Sequence, residues 1–307
     1  DHDVEGDHGA RDGAVEGVRS GLSWWMERLR AHMNNTAFHH TVFSLPFALM
    51  GALLAAGGDP PLGTLGWVVL AITAARSAAL ALDNLADLKY DKQQPRLAYR
   101  AMVQGRVTKK EALVFIGVCL LVLIFAVLQV HPVCIRLLPF AAVPFLIYPY
   151  MKRVTGWVHL FLGIAIGMAP AGGWVAVSGK IELPMLVLFL AVALWIAAFD
   201  AMYGAQDEAF DRSQGLHSLA VSFGARGAFQ IARAMHVLSI LLFIALGAMM
   251  HLHWPYFIGV AIAAATLVYQ HRIAGPTDFS RVTQVYFMRN GIVSIAIFVF
   301  TWISYMV

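Results

Sequence analysis

The chain has 307 residues, of which 59% are hydrophobic and 13% charged, and its mean hydropathy is +0.68. This composition excludes a water-soluble globular protein and predicts an all-α, polytopic protein whose partner is the lipid bilayer. The net charge of +4 comes from basic residues that cluster in particular connecting segments, as membrane topology requires. We therefore expect no nucleic-acid partner.

The amino-terminal part of the chain divides into two predicted segments. Residues 1–17 begin polar and Gly-rich, which predicts a disordered tail. Residues 18–34 place apolar side chains at helical spacing, with most of the charged side chains off that face. This pattern predicts an interfacial amphipathic helix that holds Trp24 and Trp25 at headgroup depth.

Residues 35–307 are predicted to form a single domain of nine transmembrane helices around a central cavity. Several of the apolar runs approach the ~20 residues that a spanning helix needs. The predicted spans are 38–57, 62–83, 111–130, 132–150, 156–178, 182–204, 225–250, 255–271 and 285–306.

Lysine and arginine are distributed unevenly among the connecting segments. They concentrate after the second, fourth, sixth and eighth runs, whereas the other connectors carry almost none. Because cytoplasmic loops are enriched in basic residues, the amino terminus is predicted to be cytoplasmic. The protein is expected to be a multi-pass protein of the bacterial inner (plasma) membrane.

Two acid-rich segments follow the second and sixth apolar runs. The first contains Asp83, Asp87 and Asp91 at four-residue spacing, which places them on one helix face. The second repeats the spacing with Asp207 and Asp211, at a constant offset of 120 residues. Since both follow even-numbered runs, they are predicted to lie at the cytoplasmic side. This arrangement suggests a parallel internal repeat whose halves meet around a shared site.

Carboxylates this close to hydrocarbon are costly, so they indicate a function. Paired carboxylates suit Mg²⁺, which binds few protein ligands and keeps phosphate oxygens in its shell. We predict that Asp87 and Asp91 bind one metal ion. Asp207 and Asp211 are predicted to bind another, and a diphosphate to bridge the two.

Nearby cations are candidates for binding the diphosphate. Arg96, Lys152 and Arg153 follow the second and fourth runs, where they would stabilise the charge that grows on a leaving diphosphate. Each is alternatively explained as a topology-setting basic residue.

Three further residues lie deeper in the predicted spans. Asp200 and Tyr203 precede the second acid pair, slightly deeper in the sixth run, and are predicted to face a bound substrate. Arg76 lies seven residues before Asp83, on the same helix face. Its planar guanidinium fits a substrate carboxylate, or alternatively a structural salt bridge across helices. Asp200 is alternatively explained as a buried acid paired with Arg76 or another cation.

The chain resembles the UbiA family of intramembrane aromatic prenyltransferases, in particular its 4-hydroxybenzoate branch of the menaquinone-pathway type. The resemblance rests on the strings His40-Thr-Val-Phe-Ser-Leu-Pro-Phe-Ala-Leu, Arg76-Ser-Ala-Ala-Leu, Pro95-Arg96, Tyr148-Pro-Tyr-Met-Lys152-Arg153, Phe199-Asp-Ala-Met-Tyr203, Gln206-Asp207, Phe210-Asp-Arg, Gly215-Leu-His-Ser and Asn290-Gly.

The resemblance implies Mg²⁺-dependent transfer of a polyprenyl group from polyprenyl diphosphate to an aromatic acid, 4-hydroxybenzoate or a dihydroxynaphthoate. It also implies substrate contacts by Gln206 and by Asp83, which stands where the family has Asn. Asn84 is the alternative source of that amide, although on a regular helix it points about 100° away.

The resemblance also implies that Asp200 and Tyr203 face the aromatic acceptor, where Asp200 would stabilise the cation or polarise the phenol, and that Arg76 binds the acceptor carboxylate. Small residues of the fifth run are expected to allow close helix packing and to leave room for an isoprenoid tail.

Three further expectations complete the sequence analysis. The segment Gln93–Gly105 is predicted to be a loop over the site, ending at a capping box formed by Thr108 and Glu111. A cation-coupled transporter is the alternative function from another class. A catalytically weak, diphosphate-binding homologue is the third possibility, because of Asp83.

Overall fold

The computed structural model describes residues 23–32, 41–282 and 290–307, with the backbone alone for 41–43. The predicted tail at 1–17 lies outside the described residues, as do both ends of the predicted interfacial helix. Residues 23–32 are helical, and Trp24 and Trp25 are 49% and 67% exposed. The central part of the interfacial helix is therefore present, with its tryptophans on the surface.

The described chain is all-α, as predicted, and no strand occurs in these residue ranges. The helices are α1 (23–32), α2 (Thr41–Ala55), α3 (Leu62–Ala86), α4 (Leu88–Asp91), α5 (Lys109–Leu128), α6 (Val133–Met151), α7 (Val158–Ser178), α8 (Leu183–Gly204), α9 (Glu208–Ser213), α10 (Leu219–Met249), α11 (Trp254–Ile273) and α12 (Asn290–Ser304).

Each of the nine predicted spans coincides with a helix. In the part of the chain that the structure describes, six helical segments are long and apolar enough to cross a bilayer: α3, α5, α6, α7, the segment Leu183–Ser213 that begins with α8, and α10. The other three predicted spans correspond to α2, α11 and α12. Their crossing of the bilayer stays a prediction.

Side-chain caps mark two helix starts at the end of the bundle that carries the acid motifs. The Thr108 hydroxyl accepts a hydrogen bond from the Glu111 amide at 3.2 Å, which confirms the predicted helix start of α5. The Ser218 hydroxyl likewise accepts from the Val221 amide at 3.1 Å and starts α10. These caps satisfy amides that helix geometry leaves without partners.

Helix α7 packs closely against α2 and α8 because it carries glycine at the contacts. A Cβ atom at Gly173 would clash with the carbonyl oxygen of Ala48, and one at Gly163 would clash with that of Ala193. The predicted role of these small residues in helix packing is thus confirmed at both positions. Close contact here fixes α2 and the acid-bearing helix α8 against α7.

Candidate active site

The first acid motif lies at a break between two helices. Helix α3 ends at Ala86, and Asp87 has φ −94° and ψ 0° before α4 begins at Leu88. The Asp87 and Asp91 amides still donate to the carbonyl oxygens four residues earlier, at 2.9 and 2.8 Å. The four-residue spacing of the three carboxylates therefore survives the break.

The second motif breaks at the equivalent position. Helix α8 ends at Gly204, a 3₁₀ turn covers Ala205–Asp207, and Asp207 has φ −99° and ψ 10° before α9. The spacing argument assumed a regular helix through each row of acids, and this helix is interrupted at both motifs. Asp is unfavourable in a helix interior, since its side chain competes for backbone hydrogen bonds. The shared conformation of Asp87 and Asp207 agrees with the predicted internal repeat.

Basic residues contact the first motif. Lys152 Nζ lies 2.9 Å from Asp87 Oδ2, and Arg100 Nη1 donates to Asp91 Oδ2 at 2.8 Å and to Asn84 Oδ1 at 3.1 Å. Asn84 therefore shares a partner with Asp91, although a regular helix predicted that it points away. Arg100 was not among the predicted site residues.

Burial and charge act against each other in this cluster. Burial raises the pKa of Asp91 above its ordinary value, and Arg100 offsets this only in part. Burial lowers the pKa of Lys152, but Asp87 and Asp83 raise it more, so the ammonium is favoured overall. The first motif thus needs cations to carry its negative charge.

Arg96 binds the second motif through a bidentate contact. Its Nε and Nη2 donate to the Asp207 carboxylate at 3.1 and 2.6 Å, and its Nη1 donates to the Tyr203 hydroxyl at 2.9 Å. Gln94 Nε2 donates to Asp207 Oδ1 at 2.6 Å. The predicted site residues Arg96, Tyr203 and Asp207 are thus brought together, and Gln94 is added to them.

The segment Gln93–Gly105 connects the two motifs. Its Arg96 holds the second motif, and its Arg100, four residues later, holds the first. Its own Leu97 and Met102 are buried, so the segment is anchored to the protein by apolar side chains. Both acid motifs therefore lie at the same end of the bundle, as the sequence predicted.

Asp200 is paired with a residue that the sequence analysis missed. Asp200 Oδ2 lies 2.7 Å from Nδ1 of the buried His159, whose Nε2 accepts from the Leu219 amide at 3.4 Å. With Nε2 as acceptor, Nδ1 carries the proton and donates to Asp200. The partner suggested from sequence was Arg76. The available signal was a histidine at the fourth position of the fifth apolar run, 156–178.

Other predicted residues lie further from this cluster. Arg153 is exposed and donates to the Ala86 carbonyl oxygen at 2.9 Å, on the outer side of α3. Gln206 donates to the Tyr203 carbonyl oxygen at 2.9 Å. Asp211 follows Asp207 by one turn, on α9. None of these three predicted substrate or metal roles is tested by these contacts.

An apolar cavity of about 350 Å³ runs between α3, α5, α6 and α7. Along α3 its lining extends from Trp67 to Leu82, roughly 22 Å of helix. It therefore reaches the residue next to Asp83. Arg76 is the one charged residue among its lining residues in the described chain. Gly172 borders the cavity, and no atom lies within 4 Å of a Cβ placed there.

The donor set suits a hard divalent cation that is shared with a phosphate ligand. In the described residues no three His, Cys, Asp or Glu side chains form a metal site by themselves. Asp87 Oδ1 is nevertheless buried, and it has no hydrogen-bond partner within the described ranges. An anionic oxygen in that condition fits a cation, because burial without a partner is costly.

The comparison with known families agrees with this geometry. The UbiA prenyltransferase family matches residues 44–292. The chain belongs to the UbiA prenyltransferase family. A UbiA relative named 4-hydroxybenzoate octaprenyltransferase, from Vibrio atlanticus, is 31% identical over 259 residues, covering 84% of this chain and 90% of the relative. The protein is therefore an integral membrane prenyltransferase.

Solved UbiA structures share the fold. The apo structure of a UbiA homologue from Aeropyrum pernix K1 has a TM-score of 0.75 and 30% identity, covering 87% of this chain and 97% of that one. A UbiA homologue from Archaeoglobus fulgidus, bound to GPP and Mg²⁺, has a TM-score of 0.68 and 16% identity over 90% and 100% of the two chains.

Proposed function

We propose that this UbiA protein transfers a polyprenyl group from polyprenyl diphosphate to an aromatic acid of quinone biosynthesis, in a Mg²⁺-dependent reaction. The observation that carries the proposal is the pair of carboxylate motifs at the end of a long apolar cavity. We take 4-hydroxybenzoate as the acceptor because the relative from Vibrio atlanticus is named for it. A dihydroxynaphthoate is the alternative acceptor.

The acid motifs form the diphosphate end of the site. Asp87 and Asp91 would hold one Mg²⁺, and Asp207 and Asp211 a second; bound there, the metal neutralises charge on the leaving diphosphate. The binding of Mg²⁺ and GPP by the Archaeoglobus fulgidus homologue supports this assignment.

The cations at the site can exchange carboxylate for phosphate partners. Arg96 and Arg100 reach the two motifs from one loop, and Lys152 reaches the first motif after α6. All three side chains end among the carboxylates, so a diphosphate held between the motifs lies within their reach. They would orient it and stabilise the charge that it gains as the carbon–oxygen bond breaks.

The acceptor end lies deeper. Asp200 is held by His159 through a 2.7 Å contact, which fixes its carboxylate toward the bundle interior. We assign Asp200 and Tyr203 to the aromatic ring, where Asp200 would stabilise the allylic cation or polarise the phenol. Arg76, buried on the cavity lining, would bind the acceptor carboxylate.

The apolar cavity is the proposed site of the isoprenoid tail. Its lining is almost wholly apolar and contains many alanines, so a long hydrocarbon chain fits beside α3 and α7. The tail would then extend from the diphosphate end toward the opposite side of the membrane. We further propose that the acid motifs face the cytoplasm of a bacterial inner membrane, as the basic connectors indicate.

The test is product formation in liposomes that contain the purified protein, octaprenyl diphosphate and 4-hydroxybenzoate, with Mg²⁺ or EDTA. Lipid products are identified by mass spectrometry, and 1,4-dihydroxy-6-naphthoate is the alternative acceptor. We expect a prenylated 4-hydroxybenzoate that requires Mg²⁺ and disappears in Asp87→Ala. If the wild-type protein does not bind octaprenyl diphosphate at all, the proposal is contradicted.

The same assay separates the remaining alternatives. Family membership already favours an enzyme over the transporter considered above. A protein that binds diphosphate without turnover, and that gains turnover in Asp83→Asn, would instead be the catalytically weak homologue. The reason is that an amide can donate a hydrogen bond to diphosphate, whereas a carboxylate cannot.

A further inference from the structure

A second charged site lies on the outer side of the first acid motif. A cleft of about 450 Å³ is bordered by the end of α3, by α4, by the first residue of α5 and by the residue after Lys152. Its lining includes four cations, Lys89, Lys92, Lys109 and Arg153. All four side chains are exposed.

The described residues provide no anionic partner for these cations. Within the described ranges none of them forms an ion pair with a carboxylate. The nearby acids are already engaged: Asp87 with Lys152, Asp91 with Arg100, and Glu111 with Arg28. Like charges gathered in one cleft repel each other, so an external anion is the natural partner.

The position of the cleft identifies the class of anion. Its wall also contains Leu85 and Leu88, and Leu113 and Val114 are exposed one turn along α5 from Lys109. Helix α1, with its exposed tryptophans, is tied to the same end of α5, since Arg28 contacts Glu111 at 3.3 Å. Surface tryptophans and snorkelling cations mark headgroup depth in a membrane.

We propose that this cleft binds the headgroup of an anionic phospholipid, with the phosphate among the four cations and the acyl chains along the apolar surface of α5. Basic pockets at helix ends on the basic side of a membrane suit such headgroups. Arg153 is pre-positioned by its 2.9 Å hydrogen bond to the Ala86 carbonyl oxygen and by stacking on Tyr90, 5.4 Å from the ring centroid. This inference does not depend on the proposed substrates.

A bound headgroup would also support the first motif. Arg153 directly follows Lys152, whose ammonium contacts Asp87, and the Tyr90 ring lies within 5.7 Å of both cationic groups. The α3–α4 junction therefore presents carboxylates inward and cations outward. A bound anionic headgroup would reduce the repulsion among the outer cations and so stabilise the junction around Asp87.

The experiment measures lipid binding by native mass spectrometry of the purified full-length protein, with phosphatidylglycerol or phosphatidylcholine added to the micelles. We expect retained phosphatidylglycerol and little phosphatidylcholine. Lys109→Gln should weaken phosphatidylglycerol binding about fivefold, and Lys92→Gln similarly, since one lysine near an anionic lipid contributes roughly that factor. Equal unfolding temperatures for all variants verify that folding is unchanged.

Lys110→Gln is the matched control, because Lys110 is the exposed neighbour of Lys109 and does not line the cleft. It removes the same charge and should leave binding nearly unchanged. Equal losses in Lys109→Gln and Lys110→Gln would overturn the proposal in favour of general surface charge. Displacement of the lipid by excess inorganic phosphate, with phosphate binding as tightly, would overturn it in favour of a soluble phosphate ligand.

Discussion

The pairing of Asp200 with His159 is the most informative single contact of the candidate site. The two residues are 41 positions apart in sequence and meet at 2.7 Å between α7 and α8. The hydrogen bond fixes the orientation of a carboxylate that we assign to the aromatic acceptor. Under the proposed function, His159 would act on the reaction through Asp200, as a positioning residue.

We predict that His159→Asn lowers kcat of prenyl transfer about tenfold, because a hydrogen bond to a charged group contributes roughly that factor. Asp200→Asn should lower kcat more, and the double variant should be no worse than Asp200→Asn alone. Steady-state kinetics of the four proteins completes the cycle. Additive losses would show that the two residues act independently.

At the scale of elements, the two acid motifs share a backbone feature that the spacing of their residues did not reveal. The helices break at Asp87 and at Asp207, which are equivalent positions at the offset of 120 residues, and the two residues have nearly equal backbone angles. Both residues lie in the bridge region of the Ramachandran plot, with φ of about −90° and ψ of about 0°. Few residues adopt this conformation, and many of those that do lie in active sites. The first motif keeps its four-residue hydrogen bonds across the break, whereas the second passes through a 3₁₀ turn at Ala205–Asp207.

The adjacent glycines of α7 divide between packing and cavity. Gly173 contacts the Ala48 carbonyl oxygen, whereas a Cβ at Gly172 meets only open space in the cavity. We predict that Gly172→Leu lowers kcat/KM for octaprenyl diphosphate about tenfold, because the leucine side chain would shorten the cavity. The value of kcat/KM for the much shorter geranyl diphosphate should be nearly unchanged.

Competition assays with the two diphosphates check this prediction. Gly117→Leu is the control, because Gly117 lies on the exposed face of α5 with no atom near its Cβ position. Gly173→Leu should instead separate α2 from α7 and lower the unfolding temperature. Equal losses with both diphosphates in Gly172→Leu would show that the tail lies elsewhere.

At the scale of the whole molecule, the loop between α3 and α5 brings both halves to one site. Arg96 and Asp207 are 111 residues apart, and Arg96 and Arg100 together join the two motifs. The acid residues, basic connectors and α1 therefore lie at one end of the bundle. Lys180, beyond the far end of α7, lies at the other.

We predict that Lys180→Cys reacts with a membrane-impermeant maleimide in intact spheroplasts, whereas Lys110→Cys reacts only after permeabilisation. The basic end is expected in the cytoplasm. The unsubstituted protein gives the background, since Cys119 is buried and Cys134 is partly buried within helices. The opposite labelling pattern would place the acid motifs outside the cytoplasm.

The sequence by itself determined the helices, the common end of the two acid motifs and several of the residues that the structure brings together at that end. These features follow from local periodicity and from the cost of placing charge near hydrocarbon, both of which are visible in short windows of the chain. Four-residue spacing likewise identified the two carboxylate rows without knowledge of their surroundings.

Only the tertiary structure decided which partners these residues have. Gln94 and Arg100 appeared as ordinary loop residues, and His159 as one histidine among twelve. Their roles depend on how separate helices and a loop pack, because a side chain's partner is chosen by distance in space. The helix breaks at Asp87 and Asp207, the open space beside Gly172 and the outward cations of the α3–α4 junction were decided in the same way.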